Sequence, residues 1–197
     1  MKKSVLLLAI LATLGVATSV AQPRAVGGQL GYLIEASYEH TLGNNFLSID
    51  LGFPGFFVGG FYMETVGTYN WLNPFGVDFP TIEKGDWNWY MGAGLGLGGG
   101  VGSVTNPSWD DKLNPITVRS TSGSFYFGAA GRFGVEYNFW FPLQLSVEWR
   151  PMIGPNFWNS TARNTTTNAV ISQQSGVMFN TGALYATAFI LGVRYKF

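Results

Sequence analysis

The side chains whose type and spacing could do chemistry are five carboxylates, Glu35, Asp50, Glu64, Glu136 and Glu148, and three guanidiniums, Arg132, Arg150 and Arg194. Each falls on the polar side of a stretch that alternates with apolar residues, so all eight are expected to share one face of a folded sheet. Such a set could line an ion path, or the opposite charges could pair into a packed plug. The plug is the better expectation, because a ring of eight strands is only wide enough for its own side chains. Other apparent motifs are weaker. Gly94-x-Gly96-x-x-Gly99 matches a dinucleotide fingerprint but lacks the strand-to-helix setting that fingerprint requires. His40 is the single histidine, so a multi-histidine metal site is excluded and a Ser/His/Asp triad has no partners beside it. Asp110-Asp111 reads as a solvated loop pair, and the Asn159-Ser160-Thr161 sequon carries little weight on its own. With no cysteine, disulfides, thiolate metal sites, a cysteine nucleophile and lipoprotein-type lipidation at the processing site are all excluded. No catalytic, cofactor-binding or metal residue is expected.

The elements that must position these charges are strands. Leu143 to Gly154 sets Leu143, Leu145, Val147, Trp149, Pro151 and Ile153 against Gln144, Ser146, Glu148, Arg150, Met152 and Gly154. Phe125 to Phe139 repeats the rule, with Arg132 and Glu136 opposite Phe133, Val135 and Tyr137. In Trp87 to Gly98 the inner residues are largely glycines. Gly60 to Trp71, Phe46 to Phe53 and Gly182 to Phe197 complete the clear cases. Arg24 to His40 is too long for one strand and is divided into Arg24–Gly31 and Leu33–His40. The expectation is an all-β, eight-stranded antiparallel up-and-down transmembrane β-barrel, with short turns at Thr41 to Asn45 and Trp140 to Pro142. Two long polar loops, 103–122 and 155–181, would lie outside the cell, and Asn73 to Asp86 would be a longish periplasmic turn.

The start of the chain points to the same compartment. Lys2 and Lys3 precede an apolar run, Val5 to Val16, and Ser19-Val20-Ala21 offers the small residues a signal peptidase reads. The run is shorter than the roughly 20 residues a membrane-spanning helix needs. Residues 1–21 are therefore expected to be a cleaved signal peptide and 22–197 a single outer-membrane domain. Without Lys2 and Lys3 the chain has nine basic residues against eleven acidic, which excludes a basic field for nucleic acid. Charged residues make up only 11% and aromatics 16%, a balance that suits a lipid-facing surface.

Aromatic residues gather at strand ends. Trp71, Trp87, Trp89, Tyr137, Phe139, Trp140, Tyr195 and Phe197, with Phe189 further along the last strand, are expected to form an interfacial belt and a C-terminal assembly signal. A soluble lipocalin-like barrel would have no reason to collect aromatics there. In the cadence of Trp87-Asn88-Trp89-Tyr90-Met91-Gly92, Gly134-Val135-Glu136-Tyr137-Asn138-Phe139, Leu143 to Pro151 and Leu191-Gly192-Val193-Arg194-Tyr195-Lys196-Phe197, the mature chain resembles small outer-membrane β-barrel proteins related to OmpX and the OmpA transmembrane domain. That resemblance implies a barrel and no particular activity.

The function expected is non-enzymatic: a structural or surface-interaction role through the two long loops. Expected partners are outer-membrane lipid, the barrel-assembly machinery and periplasmic chaperones during biogenesis, and an extracellular ligand on the loops. The alternative is a small passive channel for small or apolar solutes. A lipid-modifying enzyme would need a reactive cluster at the outer rim, and His40 lies toward the other end.

Overall fold

The computed structural model describes residues 23–53, 60–75, 84–109, 115–181 and 189–197. The expected signal peptide, the Asp110-Asp111 pair, the middle of the Asn73 to Asp86 turn and the first residues of the last expected strand lie outside the described residues.

Ten strands follow one another: β1 (Pro23–Leu30), β2 (Ile34–Leu42), β3 (Asn45–Phe53), β4 (Gly60–Pro74), β5 (Gly85–Trp109), β6 (Pro115–Phe139), β7 (Leu143–Trp149), β8 (Met152–Asn164), β9 (Val170–Thr181) and β10 (Phe189–Lys196). Every pairing is antiparallel. Strands β1 to β7 pair in sequence, and β10 pairs with both β7 and β1, so eight strands close into a ring. Beyond the ring, β8 adds to the far part of β6, and β9 adds to β8.

The polarity of the ring is inverted relative to a water-soluble core. Leu30, Leu95, Leu97, Val147, Leu191 and Val193 point outward and are 50–73% exposed. Inward, Glu39, Glu136, Glu148 and Arg194 are at most 1% exposed. Strict period-two alternation produces this arrangement, since slipping any strand by one residue would exchange its two faces.

The glycines expected to form the inner face of the fifth strand leave room for partners. A side chain at Gly98 would meet the Tyr126 ring at 2.7 Å, and one at Gly96 would collide with Met152. Gly43 (φ 63°) opens the two-residue connection between β2 and β3, where a positive φ at the first turn residue matches the twist of the strands.

Three expectations change. The stretch Leu143 to Gly154 is not one strand: β7 ends at Trp149, and β8 starts at Met152. Pro151 has no N–H for the ladder and disfavours continuing the same register, so the chain breaks there. Its carbonyl still accepts from Gly131 N (2.9 Å), which keeps β6 beside the break. The second strand runs to Leu42 instead of stopping at His40, with Gly31, Tyr32 and Leu33 forming the turn before it. The largest correction concerns the long loops. Residues 103–109 and 115–122 extend β5 and β6 to 25 residues each, and most of 155–181 is the β8–β9 hairpin. These segments carry Thr, Ser, Val and Asn on both faces. A sheet wetted on both sides has no apolar stripe, so β-structure there reads as loop.

Candidate functional site

Inside the ring the charged side chains are tied across strands. Arg194 on β10 donates from Nε to Ser37 Oγ (3.0 Å) on β2, and from Nη1 and Nη2 to Ser146 Oγ (2.8 Å) and Glu148 Oε1 (2.6 Å) on β7. Arg132 on β6 pairs with Asp50 (2.9 Å) on β3 and Glu148 (2.6 Å), and its guanidinium also bonds Ser48. Arg150, at the break after β7, pairs with Glu35 (2.5 Å), Asp50 (3.2 Å) and, at 3.6 Å, Glu64. All eight charged residues named from the sequence therefore lie inside the ring. Seven are joined into one network through shared carboxylates and guanidiniums. Glu136 belongs to a second cluster, toward the end that carries the C-terminus.

That second cluster contains residues the sequence reading missed. Arg24 pairs with both Glu39 and Glu136, and its guanidinium sits 4.2 Å over the Phe46 ring. Asn88, Asn138 and Gln144 also donate to Glu136. Glu39 was legible, since it continues the alternation of Glu35 and Ser37. Arg24 was not. Alternation with Ala25 and Gln29 would turn it outward, but the register shifts between Pro23 and Ala25, and such a bulge re-aims a side chain. Arg194 also approaches Glu39 at 3.4 Å, which links the two clusters.

Four guanidiniums thus face six carboxylates, Glu35, Glu39, Asp50, Glu64, Glu136 and Glu148. Burying charges is tolerable only when they are paired and hydrogen-bonded, and here each carboxylate has at least one cationic partner. The arginines reach across the ring to carboxylates on other strands. Chemically this is a buried network of paired charges. Among the described residues no group of three or more His, Asp or Glu could hold a metal ion.

The aromatic residues divide. Trp87 packs against Tyr137 (4.9 Å between centroids), Tyr137 against Phe139 (4.6 Å) and Tyr195 against Phe197 (5.3 Å). Trp71 lies beside Tyr69 at 5.3 Å, and Trp89 pairs in register with Asn73 near the end of β4. Trp140 is 73% exposed in the β6–β7 turn. These lie toward the end of the ring that carries the C-terminus. Phe189 does not join them: it pairs with Trp149 at the opposite end of β10. His40 is at the C-terminal end of the ring too, with its Nδ1 2.9 Å from Tyr38 Oη.

At the far end, Tyr126 Oη donates to Glu64, and the Tyr126 ring stacks on Tyr62 at 6.1 Å. Tyr32 meets Tyr62 edge-on at 6.3 Å. This tyrosine cluster caps the ionic network on the side where β5, β6, β8 and β9 continue past the ring. Comparison with protein-family models, with curated proteins and with solved structures finds no match.

Proposed function

We propose that the chain is a non-enzymatic outer-membrane β-barrel whose extended hairpins contact the cell's surroundings. The observation that carries this reading is the inverted polarity of the closed ring: among the described residues, a largely apolar exterior surrounds a buried ionic interior. A sheet satisfies every backbone group in lipid only when it is closed, and lipid makes an outward aliphatic face favourable. The clustered Trp, Tyr and Phe residues at the C-terminal end suit one membrane interface. Together with the alternating cadence, they support the resemblance to OmpX and the OmpA transmembrane domain. The domain then spans residues 22–197 after removal of a signal peptide, and lipid, periplasmic chaperones and the barrel-assembly machinery are its partners in biogenesis.

The packed interior favours a structural plug over the channel alternative. Surface contact falls to the parts that leave the ring: the outer halves of β5 and β6 and the β8–β9 hairpin. Rigid scaffolds commonly carry function on such projecting segments. Deleting Asn159–Gln173 is expected to leave the heat-modifiable gel mobility and outer-membrane fractionation of the full chain unchanged. Adhesion of cells to matrix-coated or polysaccharide-coated surfaces should fall to the level of cells lacking the protein. Undiminished adhesion, or loss of the folded form, would count against this assignment.

A further inference from the structure

Immediately beyond the tyrosine cluster, the concave side of the projecting sheet holds a cavity of about 370 Å³, lined among others by Tyr62, Gly100, Ser122, Ser124, Trp158 and Ser160. Its volume is within the range of small-molecule sites, about 300–1,000 Å³. Register places these residues on one face. Ser124 pairs with Trp158 and Ser122 with Ser160, while Tyr62 pairs with Gly100. That face is continuous with the ring's interior, because Tyr126, two residues from Ser124, is buried and stacked on Tyr62.

Three features define what the cup would hold. Among the described residues it has no charged lining side chain, although a dense ionic network lies just beneath, so the described lining selects neither an anion nor a cation. Trp158 and Tyr62 offer flat apolar surfaces with polar edges, groups that suit ligands with one apolar and one hydrated face. The serines supply hydroxyls that both donate and accept, and Gly100, between Tyr62 and Ser124 in register, leaves the floor without a side chain.

We infer that this cup is a binding site for a neutral saccharide, with the C–H face of a sugar ring lying on Trp158 and its hydroxyls meeting the serines. Wholly apolar ligands would leave the hydroxyls unused, and charged ones would find no counter-charge. The inference rests on the membrane reading only in that it places the cup outside the cell.

The test uses the full mature chain folded in amine-oxide micelles, whose headgroups contain no sugar. Saturation-transfer NMR is recorded with a panel of neutral mono- and disaccharides. At least one should give a saturable signal, weakened tenfold or more in Trp158→Ala and in Ser124→Leu, which fills the cup from the neighbouring strand. Phe157→Ala, altered on the outward face, should match the parent chain. Heat-modifiable mobility confirms that each variant is folded; if one of the two cup variants is not, the other decides. No saturable signal from any neutral sugar, signals unchanged in the folded cup variants, or binding confined to charged sugars would overturn the inference. Because location is read by fractionation and the cup by titration in micelles, the two readings fail separately.

Discussion

Arg194→Met is expected to destabilise the folded chain by about 3–5 kcal/mol, the usual cost of breaking a buried charge pair from one side. Arg194 is 1% exposed and ties β10 to β2 and β7, so methionine would remove the cationic partner of Glu148 Oε1 and the contact with Glu39. Glu39 keeps Arg24, and Glu148 keeps Arg132, but each then carries charge that one guanidinium must balance alone. Adding Glu148→Gln should recover part of the loss, because the carboxylate left under-compensated is then neutral. Lys196→Met, at the ring's end, is expected to stay within about 0.5 kcal/mol of the parent, as surface changes do. Urea unfolding of the chain in lipid vesicles, followed by tryptophan fluorescence, measures all three. Equal stability of Arg194→Met and the parent would show that the network is not what holds the ring together.

Leu191→Arg is expected to cost about 2–4 kcal/mol, the range for an arginine on the lipid face at the bilayer midplane. Leu191 is 56% exposed and points outward. It stands four residues, or about 13 Å of strand, from the Tyr195 end, near the middle of an apolar band about 25 Å tall. In water the same change at so exposed a position would cost almost nothing. The size of the effect therefore separates a ring surrounded by lipid from one surrounded by solvent. The same unfolding experiment reports it, and a difference below about 0.5 kcal/mol would speak for solvent.

How far the fold could be read from the chain depended on whether a strand has two chemically different faces. Where it does, as in Leu143 to Glu148 or Phe133 to Phe139, alternation gave both the strand and its orientation, and with them Arg132, Glu136, Glu148 and Arg194. Where both faces are wet, as in Ser103 to Trp109 or Asn159 to Asn164, period two vanishes, and long strands looked like loops. The break at Arg150-Pro151 was visible as a proline, but apolar alternation runs through it from Trp149 to Ile153, so the two strands read as one. Arg24 escaped because a bulge cancels alternation at that residue. Phe189 has the residue type of the aromatic belt, but its register, opposite Trp149, places it at the other end of the ring. The cup around Trp158 was hidden for a related reason: it is assembled from residues of several strands whose shared face shows no apolar pattern.

Single-cysteine labelling distinguishes an outward face that lies against lipid, with the hairpins standing in water, from a ring surrounded by solvent. The native chain contains no cysteine, so each introduced thiol reports alone. Intact cells expressing Ser172→Cys or Leu191→Cys are treated with a membrane-impermeant maleimide, before and after denaturation in hot detergent. Ser172 is exposed on β9 and Leu191 on the ring. Ser172→Cys is expected to label rapidly on intact cells, and Leu191→Cys only after denaturation. Labelling of Leu191→Cys in the native protein at the rate of Ser172→Cys would contradict a lipid-facing ring.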